Sequence, residues 1–203
     1  MKKGEILGLV GESGSGKSTV LGMLKEDYGA LILQADEVAK EMIAPGGPSY
    51  DRLVALLGRG ILREDGSVDR AKVSEMIFSD ASLLGKVNAI IHPDTLAAVK
   101  RRIGEAKETL VIVESAIPEE ARFDEMTDAV LYVYASEETR LERLFFGRGY
   151  SFDKTERIMR RQLSEAEFRK MADAEVNNDG AEAEARASLA AAMKQLLQKK
   201  AGA

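Results

Sequence analysis

The chain has 203 residues, enough for one α/β domain with insertions and too few for two independent domains of typical size. Its 45% hydrophobic and 31% charged residues are the balance of a soluble globular protein, and the net charge of −5 argues against nucleic acid as a partner. The absence of cysteine excludes disulfides, thiolate metal sites and thiol catalysis.

No run reaches the length of a membrane span, and Met1-Lys2-Lys3-Gly4 leads into an apolar strand rather than a signal peptide. No membrane partner and a cytoplasmic location are therefore expected.

In chain order, residues 6–10 read as the first buried strand. The stretch Gly11-Glu12-Ser13-Gly14-Ser15-Gly16-Lys17-Ser18 then satisfies the phosphate-binding pattern G-x-x-x-x-G-K-[ST] in full, and 20–26 continue as a helix. Gly11, Gly14 and Gly16 can adopt backbone angles closed to other residues, so successive amides can turn around a phosphate chain. The helix beginning near Lys17 adds the positive end of its dipole. Lys17 would place a charge on the outer phosphates, and the Ser18 hydroxyl is the expected magnesium ligand. Gly11, Gly14, Ser15, Gly16, Lys17, Ser18 and Thr19 are the expected nucleotide-binding set, with ATP and Mg2+ as ligands.

Residues 30–34 form the second predicted strand, and Asp36 follows its C-terminal end, the edge of the sheet that carries the phosphate loop. In phosphoryl transfer to an alcohol the acceptor hydroxyl must be oriented and must lose its proton, and Asp36 is a candidate for both tasks. Asp36 also suits the N-cap of a helix starting at Glu37, and the two roles are compatible. Residues 45–108 show helical patterns with no convincing strand, entered at Pro45-Gly46-Gly47-Pro48 and broken at Gly58-Arg59-Gly60 and at His92-Pro93. This predicts a helical insertion beside the core. His92 is the single histidine, and before Pro93 at an expected helix start it reads as a packing or capping residue.

Strands are predicted at 110–113, 129–134 and, more weakly, 174–177, and an alanine-rich helix at 180–200. Glu114 ends the third strand, where an acid can act on magnesium, and a solvated loop acid is its alternative. Residues 140–170 hold nine basic residues against five acidic ones and suggest a helical lid, interrupted at Gly147-Arg148-Gly149-Tyr150. Arg140, Arg143, Arg148, Arg160 and Arg161 are candidates for charge on the transferring phosphoryl group. Arg148 leads, because flanking glycines free it to swing.

The expected fold is a doubly wound α/β core, a parallel five-stranded sheet of the P-loop kinase type with a helical substrate-binding insertion and a helical lid. The core takes residues 1–44, 109–139 and 172–203, the insertion 45–108 and the lid 140–171. A monomer or weak homo-oligomer is the expected assembly.

With these residues in place, the chain resembles the dephospho-coenzyme A kinase family over nearly its whole length. Leu7-Gly8-Leu9-Val10-Gly11 looks like the family's I-G-L-T-G entry to the phosphate loop, with Val10 where threonine is usual. Ala35-Asp36-Glu37-Val38-Ala39-Lys40 resembles the end of D-A-D-x-I-A-R, with Gln34 in place of the first aspartate. Asp69-Arg70 and Ile77-Phe78 resemble its D-R and I-F pairs, and Val87-Asn88-Ala89-Ile90-Ile91-His92-Pro93 its L-N-x-I-x-H-P. Gln162, Ala172-Asp173, Val176 and Asn178 resemble its closing Q and A-D-x-V-I-x-N-x-G. After the third strand, the family's V-P-L-L-x-E matches best with its acid at Glu120.

The resemblance implies transfer of the ATP γ-phosphate to the ribose 3′-hydroxyl of dephospho-coenzyme A. It assigns Lys17 and Ser18 to ATP and magnesium, Arg143 to nucleotide and Arg148 to the lid. Asp36, Arg70 and His92 fall to the acceptor, with the insertion as the coenzyme A domain and its glycine-proline entrance as a hinge. A nucleoside or nucleoside-monophosphate kinase would share the core and lid without the H-P element. A guanine-specific switch would carry an N-K-x-D tetrad, which is absent.

Overall fold

A computed structural model of the chain describes residues 4–115, 123–147, 149–160 and 162–201. The elements in order are β1 (Glu5–Val10), α1 (Lys17–Tyr28), β2 (Leu31–Gln34), α2 (Ala35–Met42), α3 (Tyr50–Leu57), α4 (Arg70–Ser79), α5 (Ala81–Glu105), β3 (Leu110–Glu114), α6 (Phe123–Met126), β4 (Ala129–Tyr134), α7 (Glu137–Glu142), α8 (Phe152–Arg160), α9 (Glu165–Met171), β5 (Ala174–Asn177) and α10 (Glu182–Ala201). A 3₁₀ turn covers Arg59–Ile61 and a π-helical turn Arg143–Gly147.

The strands form one sheet in the order β2-β3-β1-β4-β5, with β1 parallel to β3 and β4, and β4 parallel to β5. The continuous apolar runs are explained by cover on both faces. Leu7, Leu9, Leu131 and Val133 point to one face, where they pack with Val20 and Leu24 of α1 and Leu189 and Met193 of α10. The alternate positions serve the other face: a Cβ on Gly8 would lie 2.5 Å from the Phe123 ring, and Tyr132 stacks on Phe168 of α9 at 5.5 Å. Among the described residues no helix is long and apolar enough to cross a membrane.

The chain divides into two compact units, Met1–Ile32 with Ala106–Ala203, and Leu33–Glu105. The second is helical apart from the end of β2 and one isolated bridge, Leu62 to Val68. It has its own core of Leu53, Ile61, Val68, Val73 and Val87. Asp69 caps α4, its Oδ1 accepting from the amides of Ala71 and Lys72. Because this unit starts at Leu33, the turn at 45–48 lies inside it. There the backbone is tightly packed, and a Cβ on Gly47 would sit 2.5 Å from two carbonyls of α2.

Two local expectations are corrected. The helix after β2 starts at Ala35 with Gln34 at its cap position, so Asp36 lies in the first turn and is not the N-cap. The expected break at His92-Pro93 does not occur: α5 runs through Pro93 for 25 residues. A proline inside a helix removes one N–H and crowds the preceding turn, at a cost of about 3 kcal/mol. Nearby, Ser49 Oγ donates to Asp94 Oδ2 at 2.6 Å and lies 3.1 Å from Ile90 O, and Thr95 Oγ1 donates to Ile91 O at 2.9 Å. Val87 on one side and Ala98 and Val99 on the other are buried, so packing holds both halves of the helix.

Candidate functional site

The phosphate loop joins β1 to α1 as expected. Gly14 and Gly16 have φ of 86° and 84°, the left-handed region where a side chain is strained. Gly16 is doubly constrained, since a Cβ there would lie 2.1 Å from Asn178 Nδ2.

The loop is gripped from its carbonyl side. Asn178 Nδ2 donates to Ser15 O at 2.7 Å, and Arg143 Nη1 reaches the carbonyls of Gly14 and Ser15 at 3.4 and 3.3 Å. Arg143 Nη2 donates to Asn178 O at 2.8 Å. Arg143 thus lies beside the loop, and its guanidinium is bonded to backbone carbonyls as a scaffold. Lys17 arches back over the loop, Nζ donating to Gly11 O at 2.7 Å and Glu12 O at 3.3 Å. Ser18 and Thr19 are exposed in the first turn of α1, and Ser15 is buried.

Glu114 closes β3 and is buried at 7% exposure, which removes its reading as a solvated loop acid. Among the described residues no group of three or more acidic or histidine side chains could hold a metal ion by itself. Ser18 and Glu114 are the two oxygen donors expected at magnesium, an ion that binds through one or two protein groups together with substrate phosphates.

Arg160 is exposed and paired with Glu156, as a solvated helical arginine would be. Arg148, Arg161 and Glu120 lie outside the described residues.

Three contacts were not evident from sequence. Gln162 meets the tip of the loop twice, its Oε1 accepting from Ser13 N at 2.9 Å and its Nε2 donating to Ser13 Oγ at 3.0 Å. Asp179 anchors the start of α7, accepting from Ser136 N and Oγ, both at 2.8 Å. Hydrogen bonds from Thr139 and Ser136 hold the Asp179 carboxyl below its usual range. Finally, Glu12, inside the loop, is 2% exposed, and both its oxygens face the Tyr132 hydroxyl at 3.1 and 2.9 Å.

Burial first, and then the Glu12 carboxylate, push the Tyr132 hydroxyl well above its ordinary value of 10.0. The neutral tyrosine is therefore favoured more in the folded chain than in the unfolded one. Its contribution to stability is complete below pH 10.0 and is lost as the pH climbs past that value, since the unfolded chain releases its proton first. Tyr132→Phe, which deprives a buried carboxylate of its donor, is expected to cost about 1–3 kcal/mol at neutral pH. It should also flatten the alkaline decline in stability. Urea titrations of both proteins at neutral and alkaline pH measure this, and equal slopes above the tyrosine range would contradict it.

The second unit contains a cavity of about 210 Å³. Asp36, Arg70 and His92, the three expected acceptor residues, all line it, together with Lys40 and Asn88. Ile43, Leu53, Val73, Ile77, Val87 and Ile91 supply an apolar wall. The cavity therefore offers a carboxylate, cationic donors and an apolar surface, a combination suited to an anionic ligand with a hydroxyl and an apolar part.

A family model described as dephospho-CoA kinase matches residues 5–184. Relatives of that name include a protein of Moorella thermoacetica, 38% identical over 94% of this chain and 92% of its own. Another, of Carboxydothermus hydrogenoformans, is 34% identical over 86% of each chain. Among solved structures, a Thermus thermophilus protein superposes with a TM-score of 0.82 at 27% identity, covering 98% of both chains. The dephospho-CoA kinase of Campylobacter jejuni superposes at 0.68 with 17% identity, covering 96% of this chain and 98% of its own, which speaks to the fold alone.

Proposed function

The chain belongs to the dephospho-CoA kinase family and is by that membership a phosphotransferase, and we propose that it transfers the γ-phosphoryl group of ATP to the ribose 3′-hydroxyl of dephospho-coenzyme A. The observation that carries the reading to this chain's own residues is the cavity that unites Asp36, Arg70 and His92.

In this reading the phosphate loop of residues 11–18 cradles the ATP phosphates through backbone amides and the start of α1. Lys17 leaves its resting contacts on Gly11 and Glu12 and places its charge on the outer phosphates. Ser18 holds magnesium, with Glu114 as the acid that orients it, and the ion when bound neutralises charge on the phosphates. Asp36 accepts the proton of the 3′-hydroxyl as the new O–P bond forms and the bond to the β–γ bridging oxygen breaks. ADP departs, and the proton passes from Asp36 to solvent. Arg70 and His92 hold the acceptor's anionic and polar groups, and the apolar wall takes its uncharged part. Arg148 completes the charge on the transferring group from the lid. The reaction takes place in the cytoplasm.

The test is ATP consumption by the purified protein with magnesium and one acceptor at a time: dephospho-coenzyme A, adenosine, AMP, CMP or shikimate. Consumption with dephospho-coenzyme A alone is expected. Equal or faster consumption with a nucleoside or nucleoside monophosphate would replace this acceptor with another.

A further inference from the structure

A carboxylate is an unexpected neighbour for a polyphosphate. Glu12 stands inside the phosphate loop and its side chain is 3% exposed, so water and counter-ions screen its charge poorly. Bound ATP brings several further negative charges to the same loop. Tyr132 supplies a hydroxyl donor but no charge. The Glu12 carboxylate pairs with Arg140, whose Nη1 lies 4.0 Å from Glu12 Oε1 and whose side chain is 11% exposed, while Lys17 Nζ donates to the Glu12 backbone carbonyl.

Arg140 braces the loop by its backbone as well. A Cβ on Gly14 would lie 2.7 Å from the Arg140 carbonyl oxygen, so the loop passes against α7 at this residue. The start of α7 is itself fixed, by the Ser136 cap and by Asp179. The guanidinium is nine-tenths buried, and its Nε has no hydrogen-bond partner among the described residues. A buried pair of this kind gives little net stability, because desolvation offsets the attraction. Its consequence falls instead on the charge balance of the loop.

We propose that Arg140 is a positioning residue for nucleotide binding: it neutralises the buried Glu12 carboxylate and so keeps the phosphate loop receptive to a polyphosphate. This rests on the reading of the loop as an ATP site and adds a residue that does not itself touch ATP. Arg140 thereby leaves the set of arginines available to the transferring phosphoryl group.

Isothermal titration of Mg·ATP into the intact protein, without acceptor, tests the proposal, alongside steady-state kinetics with dephospho-coenzyme A. Arg140→Gln should weaken Mg·ATP binding about tenfold, the scale of one charge interaction in partly screened surroundings. The loss should fall on KM for ATP rather than on kcat. Arg140→Lys, which keeps the charge, should stay within about threefold of the parent. Glu12→Gln alone should bind Mg·ATP more tightly, and adding it to Arg140→Gln should restore most of the lost affinity.

Parental affinity in Arg140→Gln, or a double variant as weak as Arg140→Gln, would overturn the proposal. Should Arg140→Gln fail to fold, Glu12→Gln decides, and weaker binding in that variant has the same overturning force. A parent protein that binds no Mg·ATP would sink the ATP reading itself, whereas a binding parent with an indifferent Arg140→Gln sinks only the role of Arg140.

Discussion

Lys17→Ala is expected to lower phosphoryl transfer by about a thousandfold, the scale of removing a donor aimed at transition-state charge. The side chain starts α1 at the mouth of the loop and rests on two backbone carbonyls, Gly11 O and Glu12 O, which other donors or water can serve. The helix it begins is held by Val20, Leu21, Met23 and Leu24, all buried and all untouched by the substitution. The fold should therefore survive, with a melting temperature within about 2 °C of the parent, the equivalent of less than about 1 kcal/mol in a chain of this size. Turnover and circular dichroism on the same preparation separate the two effects. A folded Lys17→Ala with parental turnover would contradict the assignment of the loop.

Asp36→Asn is expected to lower kcat by about 10²–10⁴ while Mg·ATP affinity stays within about twofold. The amide keeps the size of the side chain and can still accept a hydrogen bond, but it cannot take up the proton of the acceptor. Asp36 is exposed in the first turn of α2, so losing its charge costs the helix only the dipole interaction, about 0.5 kcal/mol. Single-turnover rates and Mg·ATP titration measure the two quantities. Unchanged turnover would remove Asp36 as the base, and an equal loss in ATP affinity would place it on the nucleotide instead.

Both sites owe their legibility to different signals. The phosphate loop is readable because its chemistry is local: glycine at fixed spacing, lysine and a hydroxyl after it, an apolar strand before. The strands are readable because a sheet covered on both faces needs uninterrupted apolar residues, as in the wholly buried β3. No local pattern ties Asp36 to Arg70 and His92; family resemblance alone grouped them, and packing of the second unit places them on one cavity.

What sequence does not carry is compensation across distance. Pro93 reads as a helix break because the packing that buries Val87 before it and Ala98 and Val99 after it is invisible to a local rule. Nothing local to the loop marks Glu12 for burial, which depends on Tyr132 and Arg140, about 120 residues away. Gln162 is recognisable as a family position, but its grip on Ser13 appears only once the chain is folded.

The most direct test of the whole account is the position of the phosphate on the product. The purified protein is incubated with magnesium, ATP and dephospho-coenzyme A, and the product is identified by mass and by its use in an enzyme that requires the 3′-phosphate of coenzyme A. One added phosphoryl group, in a product that the coenzyme A-dependent enzyme accepts, is the predicted result. ATP hydrolysis without a phosphorylated acceptor, or a product of the right mass that the second enzyme refuses, would contradict transfer to the 3′-hydroxyl.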